Sequence, residues 1–180
     1  KYIKDNKTNP KYDALVAVSG GKDSTTIVRR LFENHGVQKL LLVNVTEEFT
    51  KTKAGLDNIT NIITKYNCDL VTYRLNPVET AKQMKKDFEE YCFPLKTLEE
   101  DIYRIPLDVA RMYNIKLVFY GENAEYEYGG NKELEIFHHA SDDNLKIIYL
   151  AAIYPYEAHE WYDAAKEVGF QKTRWIQAGG

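Results

Sequence analysis

An apolar strand, a glycine-containing loop and a helix follow one another directly near the start of this chain. Residues 14–18 read Ala-Leu-Val-Ala-Val, and loop 19–24 reads Ser-Gly-Gly-Lys-Asp-Ser. The strand is apolar without alternation, which is typical of a strand buried on both faces of a parallel sheet. From Asp23 onward apolar residues recur at helical spacing until Gly36, where we expect the helix to end. This order predicts the first strand and helix of a parallel α/β sheet.

The loop has the features of a phosphate-binding site. Adjacent glycines let the backbone turn sharply and approach a ligand closely. The N–H groups that open the helix favour an anion, and a lysine and a serine there add a cation and a hydroxyl donor. We therefore predict that ATP is bound by Val18, Ser19, Gly20, Gly21, Lys22, Asp23 and Ser24, the last three being catalytic. In the alternative interpretation the loop is only a turn, with Ser19 or Asp23 capping the helix.

The order of residues in the loop excludes two common nucleotide motifs. A Walker A loop requires Ser or Thr directly after Gly-Lys, whereas Asp23 stands there in this chain. The loop does not read Gly-x-Gly-x-x-Gly either, which disfavours a dinucleotide site. Ser-Gly-Gly-x-Asp-Ser after the first strand instead resembles the PP-loop of the N-type ATP pyrophosphatases. The resemblance implies that ATP is cleaved between its α and β phosphates, and we expect Asp23 either to cap the helix or to hold Mg²⁺.

Apolar segments alternate with helical segments along the rest of the chain. This alternation predicts an α/β fold with a doubly wound parallel sheet of about five strands, and the resemblance implies the adenine nucleotide alpha hydrolase-like type. Pro106 lies within one helical pattern and predicts a kink or a break there. We expect a polar lead-in over 1–12, the PP-loop domain over 13–170, and a tail over 171–180 that begins a missing or shortened C-terminal part. The further strands are predicted at 39–45, 69–75, 117–121 and 146–151, and the helices at 53–66, 77–91, 98–113 and 155–169.

The topology predicts which segments meet at the binding site. Ligands of doubly wound sheets bind at the carboxyl ends of the strands, near the point where the strand order reverses. Three segments follow strands at that edge: loop 19–24, the tripeptide Asn44-Val45-Thr46, and the segment Gly121–Gly130. We expect Asn44, Val45 and the backbone beside them to frame the adenine of ATP, with Gly121 also in contact with the nucleotide.

The segment after the fourth predicted strand is the second unusual feature of the sequence. Residues 121–130 read Gly-Glu-Asn-Ala-Glu-Tyr-Glu-Tyr-Gly-Gly. Carboxylates, an amide and phenols could hydrogen-bond a polyhydroxylated ligand, orient an amine or help to hold Mg²⁺. An acidic surface loop with glycine turns is the alternative. The predicted substrate contacts, whose roles the sequence does not divide, are Glu122, Asn123, Glu125, Tyr126, Glu127, Tyr128 and Gly129.

Both motifs, together with residues 148–156 (Ile-Tyr-Leu-Ala-Ala-Ile-Tyr-Pro-Tyr), resemble the N-acetyl sugar amidotransferase family over most of residues 12–170. The resemblance implies an enzyme of surface-glycan biosynthesis that acts on a sugar or sugar nucleotide. It would use ATP and Mg²⁺ to convert an N-acetyl group into an acetamidino group, with ammonia delivered by a glutaminase partner. Relatives commonly carry paired cysteines near the N-terminus and a second cysteine close to the position of Cys92. The sequence begins at Lys1, after the place of the first pair, and has a single cysteine near position 92, so the resemblance supports no zinc site here.

Composition limits the partners of the chain. The net charge is −3 and the pI is about 5.9, whereas nucleic-acid binders normally show a basic excess. Binding to nucleic acid is therefore not expected, which weighs against a tRNA-thiolating or lysidine-type PP-loop enzyme. An amidotransferase of small carboxylates and a non-catalytic adenine-nucleotide-binding module remain open. No apolar run is long enough for a membrane span, and Cys68 and Cys92 form no Cys-x-x-Cys pair, so we expect a cytoplasmic protein without membrane partners.

Overall fold

A single parallel sheet forms the centre of the structure. The computed structural model describes residues 1–49, 52–121, 145–149, 154 and 157–172. Its strands are β1 (Ala14–Ala17), β2 (Leu40–Thr46), β3 (Asp69–Arg74), β4 (Leu117–Tyr120) and β5 (Lys146–Tyr149). They lie in the order β3-β2-β1-β4-β5, and every neighbouring pair is parallel. This arrangement confirms the predicted α/β fold with a doubly wound sheet of five strands.

Helices cover both faces of this sheet. Those within the described residues are α1 (Tyr2–Asp5), α2 (Lys22–His35), α3 (Lys53–Tyr66), α4 (Pro77–Tyr91), α5 (Lys96–Met112) and α6 (Ala158–Lys166). The predicted lead-in thus contains one short helix. The last helix begins at Ala158, three residues after the proline at which the sequence predicted its start.

Helix α5 corrects one prediction. It continues through Pro106, so of the two predicted outcomes, a kink or a break into two segments, the break is wrong. Pro106 has no N–H to donate to the carbonyl of Ile102, which normally weakens a helix. However, Ile105, Pro106 and Leu107 are all buried, and the apolar residues of α5 pack in the core on one face of the sheet. Burial of that apolar surface offsets the lost helical hydrogen bond.

Strand residues alternate between two hydrophobic cores. Leu15 and Leu41 point to the face covered by α5, whereas Val16 and Leu42 point to the face covered by α2, α3 and α6. All four are almost fully buried, at 1% exposure or less. Strands covered on both faces must be apolar throughout, which is why the sequence showed apolar runs without alternation. No helix in the described part of the chain combines the length and the hydropathy that a bilayer crossing needs.

Candidate functional site

The strand order reverses between β1 and β4, and a cavity lies at that point. The chain passes outward from β1 through β2 to β3, then returns to the other side of β1 as β4 and β5. Ligands of such sheets bind at the carboxyl ends of the strands beside this reversal. The cavity there has a volume of about 150 Å³. It is lined by Ala17, Val18, Ser19, Gly21, Asp23, Ser24, Val43, Val45, Ile102, Pro106, Tyr120 and Gly121.

The structure therefore brings together most of the residues predicted to bind ATP. Of the ten, seven line the cavity, while the remaining three are Gly20, Lys22 and Asn44. Asn44 lines a second cavity of about 170 Å³, which shares Ser19, Val45 and Ile102 with the first. The two cavities therefore adjoin at Ser19, Val45 and Ile102.

The start of α2 lines the first cavity through Gly21, Asp23 and Ser24. The N-cap residue is Gly21, which has extended backbone angles and no side chain with which to cap the helix. Neither Ser19 nor Asp23 occupies the N-cap position, contrary to the alternative in which one of them caps α2. Ser19 Oγ accepts the Gly21 N–H at 3.3 Å, and the Gly21 carbonyl accepts from Ser24 Oγ at 3.2 Å. An uncapped N-terminus of this kind is a favourable place for a phosphate.

The loop lies in direct contact with the first turn of α3. Gly20 has a φ of +78°, and a Cβ atom added to it would be only 2.2 Å from the carbonyl oxygen of Gly55. No residue other than glycine fits at position 20, because both the backbone angle and the space forbid a side chain. The carbonyl of Gly20 accepts a hydrogen bond of 2.9 Å from Asn58, whose amide is buried at 2% exposure.

Sequence reasoning missed both α3 residues. Glycine is unfavourable within a helix, so a glycine in the first turn of α3 was a signal of a close approach at Gly55. Asn58 carried a weaker signal, because it is a polar residue directly beside Ile59 on the buried face of α3. Which element α3 contacts could not be read from either signal.

The end of β4 lies against the start of α2. A Cβ atom added to Gly121 would be 3.0 Å from the backbone nitrogen of Ser24 and 3.2 Å from its Cα atom. Gly121 thus connects the fourth strand to the chain segment that follows, directly beside the loop. That segment contains the predicted substrate residues, all of which lie outside the described residues: Glu122, Asn123, Glu125, Tyr126, Glu127, Tyr128 and Gly129.

Lys22 and Asp23 form an ion pair at the mouth of the cavity. Lys22 Nζ lies 2.8 Å from both carboxylate oxygens of Asp23, and the two side chains are 29% and 23% exposed. Mg²⁺ in nucleotide sites is commonly held by one or two carboxylates together with phosphate oxygens. Asp23, a carboxylate that lines the cavity, fits that pattern. Among the described residues no cluster of three or more His, Cys, Asp or Glu side chains could hold a metal by itself.

Asn44, which is predicted to frame the adenine, makes a structural hydrogen bond with its side chain. The side-chain amide of Asn44 donates to the carbonyl of Val18 at 2.7 Å in a buried contact, so it joins β2 to the end of β1. Tyr120 forms another wall of the first cavity, and its hydroxyl donates to the carbonyl of Tyr103 at 2.6 Å. Burial holds the pKa of Tyr120 far above its ordinary value, so this phenol stays protonated and serves as a wall of the cavity.

Three solved structures with this fold are similar to the chain. NMN synthetase from Francisella tularensis has a TM-score of 0.62 and 15% identity, covering 90% of this chain and 63% of that one. The U34-tRNA thiolase NcsA from Methanococcus maripaludis, with its 4Fe–4S cluster, has a TM-score of 0.57 and 16% identity, covering 98% of this chain and 65% of that one. The glutamine-dependent NAD+ synthetase from Acinetobacter baumannii, in complex with ADP, has a TM-score of 0.50 and 13% identity, covering 71% of this chain and 24% of that one.

These neighbours are members of the PP-loop ATP pyrophosphatase superfamily, and this chain has their adenine nucleotide alpha hydrolase-like fold. At such identities the similarity establishes the fold and leaves the substrate open. Among curated proteins, the uncharacterized protein MJ1599 of Methanocaldococcus jannaschii is 22% identical over 166 residues, which cover 92% of this chain and 56% of that protein. The chain therefore spans about half the length of this relative. No family model matches the chain.

Proposed function

We propose that this chain is the ATP-using part of an enzyme that transfers AMP from ATP to an acceptor and releases pyrophosphate. The observation that carries the proposal is the N-terminus of α2, which opens at Gly21 onto a cavity at the reversal of the strand order. Backbone N–H groups and the helix dipole favour the pyrophosphate at that place. The three neighbouring structures support an ATP-dependent enzyme of the PP-loop type.

In this proposal the loop supplies positioning and charge stabilisation. The backbone N–H groups of Gly20 and Gly21 and the side chains of Lys22 and Ser24 stabilise the negative charge that develops on the departing pyrophosphate. Ser19 contacts phosphate. Asp23 holds Mg²⁺, which when bound neutralises part of the phosphate charge. Because Lys22 is paired with Asp23 at 2.8 Å, binding of Mg²⁺ to Asp23 would weaken this ion pair and let phosphate compete for the lysine.

We propose further that the acceptor is the N-acetyl group of a sugar or sugar nucleotide. Resemblance of residues 121–130 and 148–156 to the N-acetyl sugar amidotransferases supports this, as does the contact of Gly121 with Ser24, from which the segment 122–129 begins. An amide oxygen is a poor leaving group until AMP is attached to it. Ammonia then attacks the carbon, the C–O bond breaks, and AMP leaves with the oxygen. The products are the acetamidino sugar, AMP and pyrophosphate, and a glutaminase partner supplies the ammonia.

A tRNA acceptor is the main alternative, because one neighbour is a tRNA thiolase. The lysines of α4 do not favour it. Lys82 pairs with Glu79 at 2.8 Å and Lys85 with Glu89 at 3.7 Å, so this helix face carries mixed charge. Phosphate backbones are normally bound by surfaces with a clear excess of Lys and Arg.

The test is the formation of AMP and pyrophosphate from MgATP with ammonium and a panel of acceptors. We expect turnover with an N-acetyl sugar or with its sugar nucleotide. Turnover with small carboxylates or with tRNA should be slower. Lys22→Ala should lower the rate by about 100-fold or more. Lys11→Ala is the matched control, because Lys11 pairs with Asp69 at 2.6 Å near the opposite end of the strands.

Each outcome separates the candidates. Turnover restricted to tRNA or to a carboxylate would refute the sugar assignment, and ATP binding without acceptor-dependent pyrophosphate would indicate a nucleotide-binding module. Equal rates for the Lys22→Ala and wild-type proteins would remove Lys22 from the site. Glu127→Gln should impair acceptor turnover more than ATP binding, and equal losses would argue against a substrate role for that residue.

A further inference from the structure

Asn58 of α3 is a buried polar side chain that contacts the loop. Its amide nitrogen donates to the carbonyl of Gly20 at 2.9 Å and to the carbonyl of Gln171 at 3.0 Å. Its amide oxygen accepts the N–H of Gln171 at 2.7 Å. Both N–H bonds of the amide and its oxygen are therefore used, at a site only 2% exposed. A side chain satisfied so fully has one fixed orientation and fixes its partners in return.

The hydrogen bond to Gly20 determines the direction of the next N–H group. In a trans peptide the C=O and N–H bonds point in opposite directions, and the peptide between Gly20 and Gly21 is trans. Because the Gly20 carbonyl points to Asn58 in α3, the Gly21 N–H points away from α3. It points towards Ser19 Oγ, 3.3 Å away, and both residues line the cavity assigned to the phosphates.

This peptide needs such a restraint, since it lies between two glycines. Glycine permits backbone angles that other residues avoid, so rotation of the whole peptide meets little local resistance. The rotated form would turn the Gly20 carbonyl towards the phosphates and the Gly21 N–H away from them. The negative end of the Gly20 carbonyl dipole would then face the negatively charged phosphates, and the phosphates would lose the Gly21 N–H as a donor.

We propose that Asn58 is a positioning residue which holds the Gly20–Gly21 peptide with its N–H towards the phosphates of ATP. This inference rests on the proposed function, because it takes the cavity to be the phosphate site. The same amide also binds the backbone of Gln171, so the orientation of the loop and the docking of residue 171 depend on one side chain.

Helix α3 offers a matched control for this role. The amide of Asn61, one turn further along, donates to the carbonyl of Gly169 at 2.8 Å. Asn61 thus binds the backbone of the same C-terminal segment, and this hydrogen bond does not involve the loop. Removing Asn61 should loosen that segment while leaving the Gly20–Gly21 peptide in place.

The experiment compares the affinity for ATP with the affinity for adenosine by calorimetry in the Asn58→Ala, Asn58→Ser and Asn61→Ala proteins. Adenosine lacks the phosphates, so it reports whether the rest of the site is intact. We expect both Asn58 variants to bind ATP roughly 10- to 100-fold more weakly, the usual effect of a lost hydrogen bond to a charged group, with adenosine affinity nearly unchanged. Asn61→Ala should retain the wild-type ratio of the two affinities. Asn58→Ser keeps a small polar group at this position, and it replaces Asn58→Ala in the comparison if Asn58→Ala does not fold.

The ratio of affinities distinguishes positioning from general support of the fold. Loss of ATP and adenosine binding by the same factor in the Asn58 variants would overturn the inference, as would an unchanged ATP affinity. A similar drop in the ratio for Asn61→Ala would overturn it too, because the effect would then belong to the C-terminal segment. If the wild-type protein bound ATP no better than adenosine, the proposed function itself would fail first.

Discussion

Replacement of Gly20 by alanine measures how closely the loop approaches α3. The added Cβ would lie 2.2 Å from the oxygen, 2.8 Å from the carbonyl carbon and 2.9 Å from the Cα of Gly55. All three are backbone atoms, so no flexible side chain can move aside. Gly36 gives the matched control, because its φ of +64° is also left-handed but nothing lies within 4 Å of an added Cβ. The difference between the two variants therefore isolates the collision from the backbone penalty.

The magnitudes follow from these two contributions. A non-glycine residue in the left-handed region costs about 1–2 kcal/mol, which is the whole effect expected for Gly36→Ala. Forcing extra volume into a filled site adds about 1–3 kcal/mol, so Gly20→Ala should lower the free energy of unfolding by about 2–5 kcal/mol in total. If the loop moves instead of the helix, the loss of stability will be smaller and ATP binding will be lost.

Urea unfolding, monitored by far-ultraviolet circular dichroism, gives the free energies of unfolding. The comparison requires that the free energy of unfolding depend on urea concentration with the same slope in both variants. Calorimetric titration with ATP gives the second readout. The reasoning is refuted if Gly20→Ala unfolds at the same urea concentration as Gly36→Ala and also binds ATP as the wild-type protein does. In that case position 20 accepts a side chain, and the close contact with Gly55 does not exist in solution.

Two further predictions concern side chains away from the cavity. The hydrogen bond from Lys11, together with that from Tyr12, lowers the pKa of Asp69 to about 2 from its ordinary 3.8. A lowered folded-state pKa means that the contribution of Asp69 to stability is complete above about pH 4 and disappears as the pH falls towards 2. Asp69→Asn should flatten the loss of unfolding free energy over that interval in acid titrations, and an unchanged slope would contradict the assignment. Burial raises the pKa of the Cys68 thiol to about 12, whereas Cys92 is exposed. Ellman's reagent should therefore titrate one thiol in the native protein at neutral pH and the second only in denaturant, and rapid reaction of both would show that Cys68 is accessible.

The sequence predicted the strands well because their physical signature is local. The strand predicted over 39–45 is β2 (Leu40–Thr46), and the one predicted over 69–75 is β3 (Asp69–Arg74). The end of α2 was equally predictable: the helix stops at His35, and Gly36, where we expected it to end, is the C-cap residue with left-handed backbone angles. Each of these signals is contained within a few neighbouring residues.

Contacts between distant parts of the chain could not be predicted in the same way. Gly20 and Asn58 are separated by 38 positions, and Asn58 is separated from Gln171 by 113. The pattern of α3 showed that one face is buried, but it carried no information on the partner of that face. Pro106 illustrates the opposite case, because its local signal for a break is overridden by burial of the helix against the sheet. In both cases tertiary packing, and not the local sequence, determines the structure.

The same packing explains where the choice of acceptor must be made. In the proposed site the contacts with phosphates would come largely from the backbone of the loop and from the start of α2, so they would suit any nucleoside triphosphate. The neighbouring structures, a tRNA thiolase and two synthetases, share this fold while their activities differ. Specificity for the acceptor therefore has to come from residues outside the loop. In this chain Gly121, at the end of β4, lies against Ser24 at the start of α2. That contact is the physical reason for proposing that residues 122–129, which follow Gly121 in the sequence, bind the acceptor.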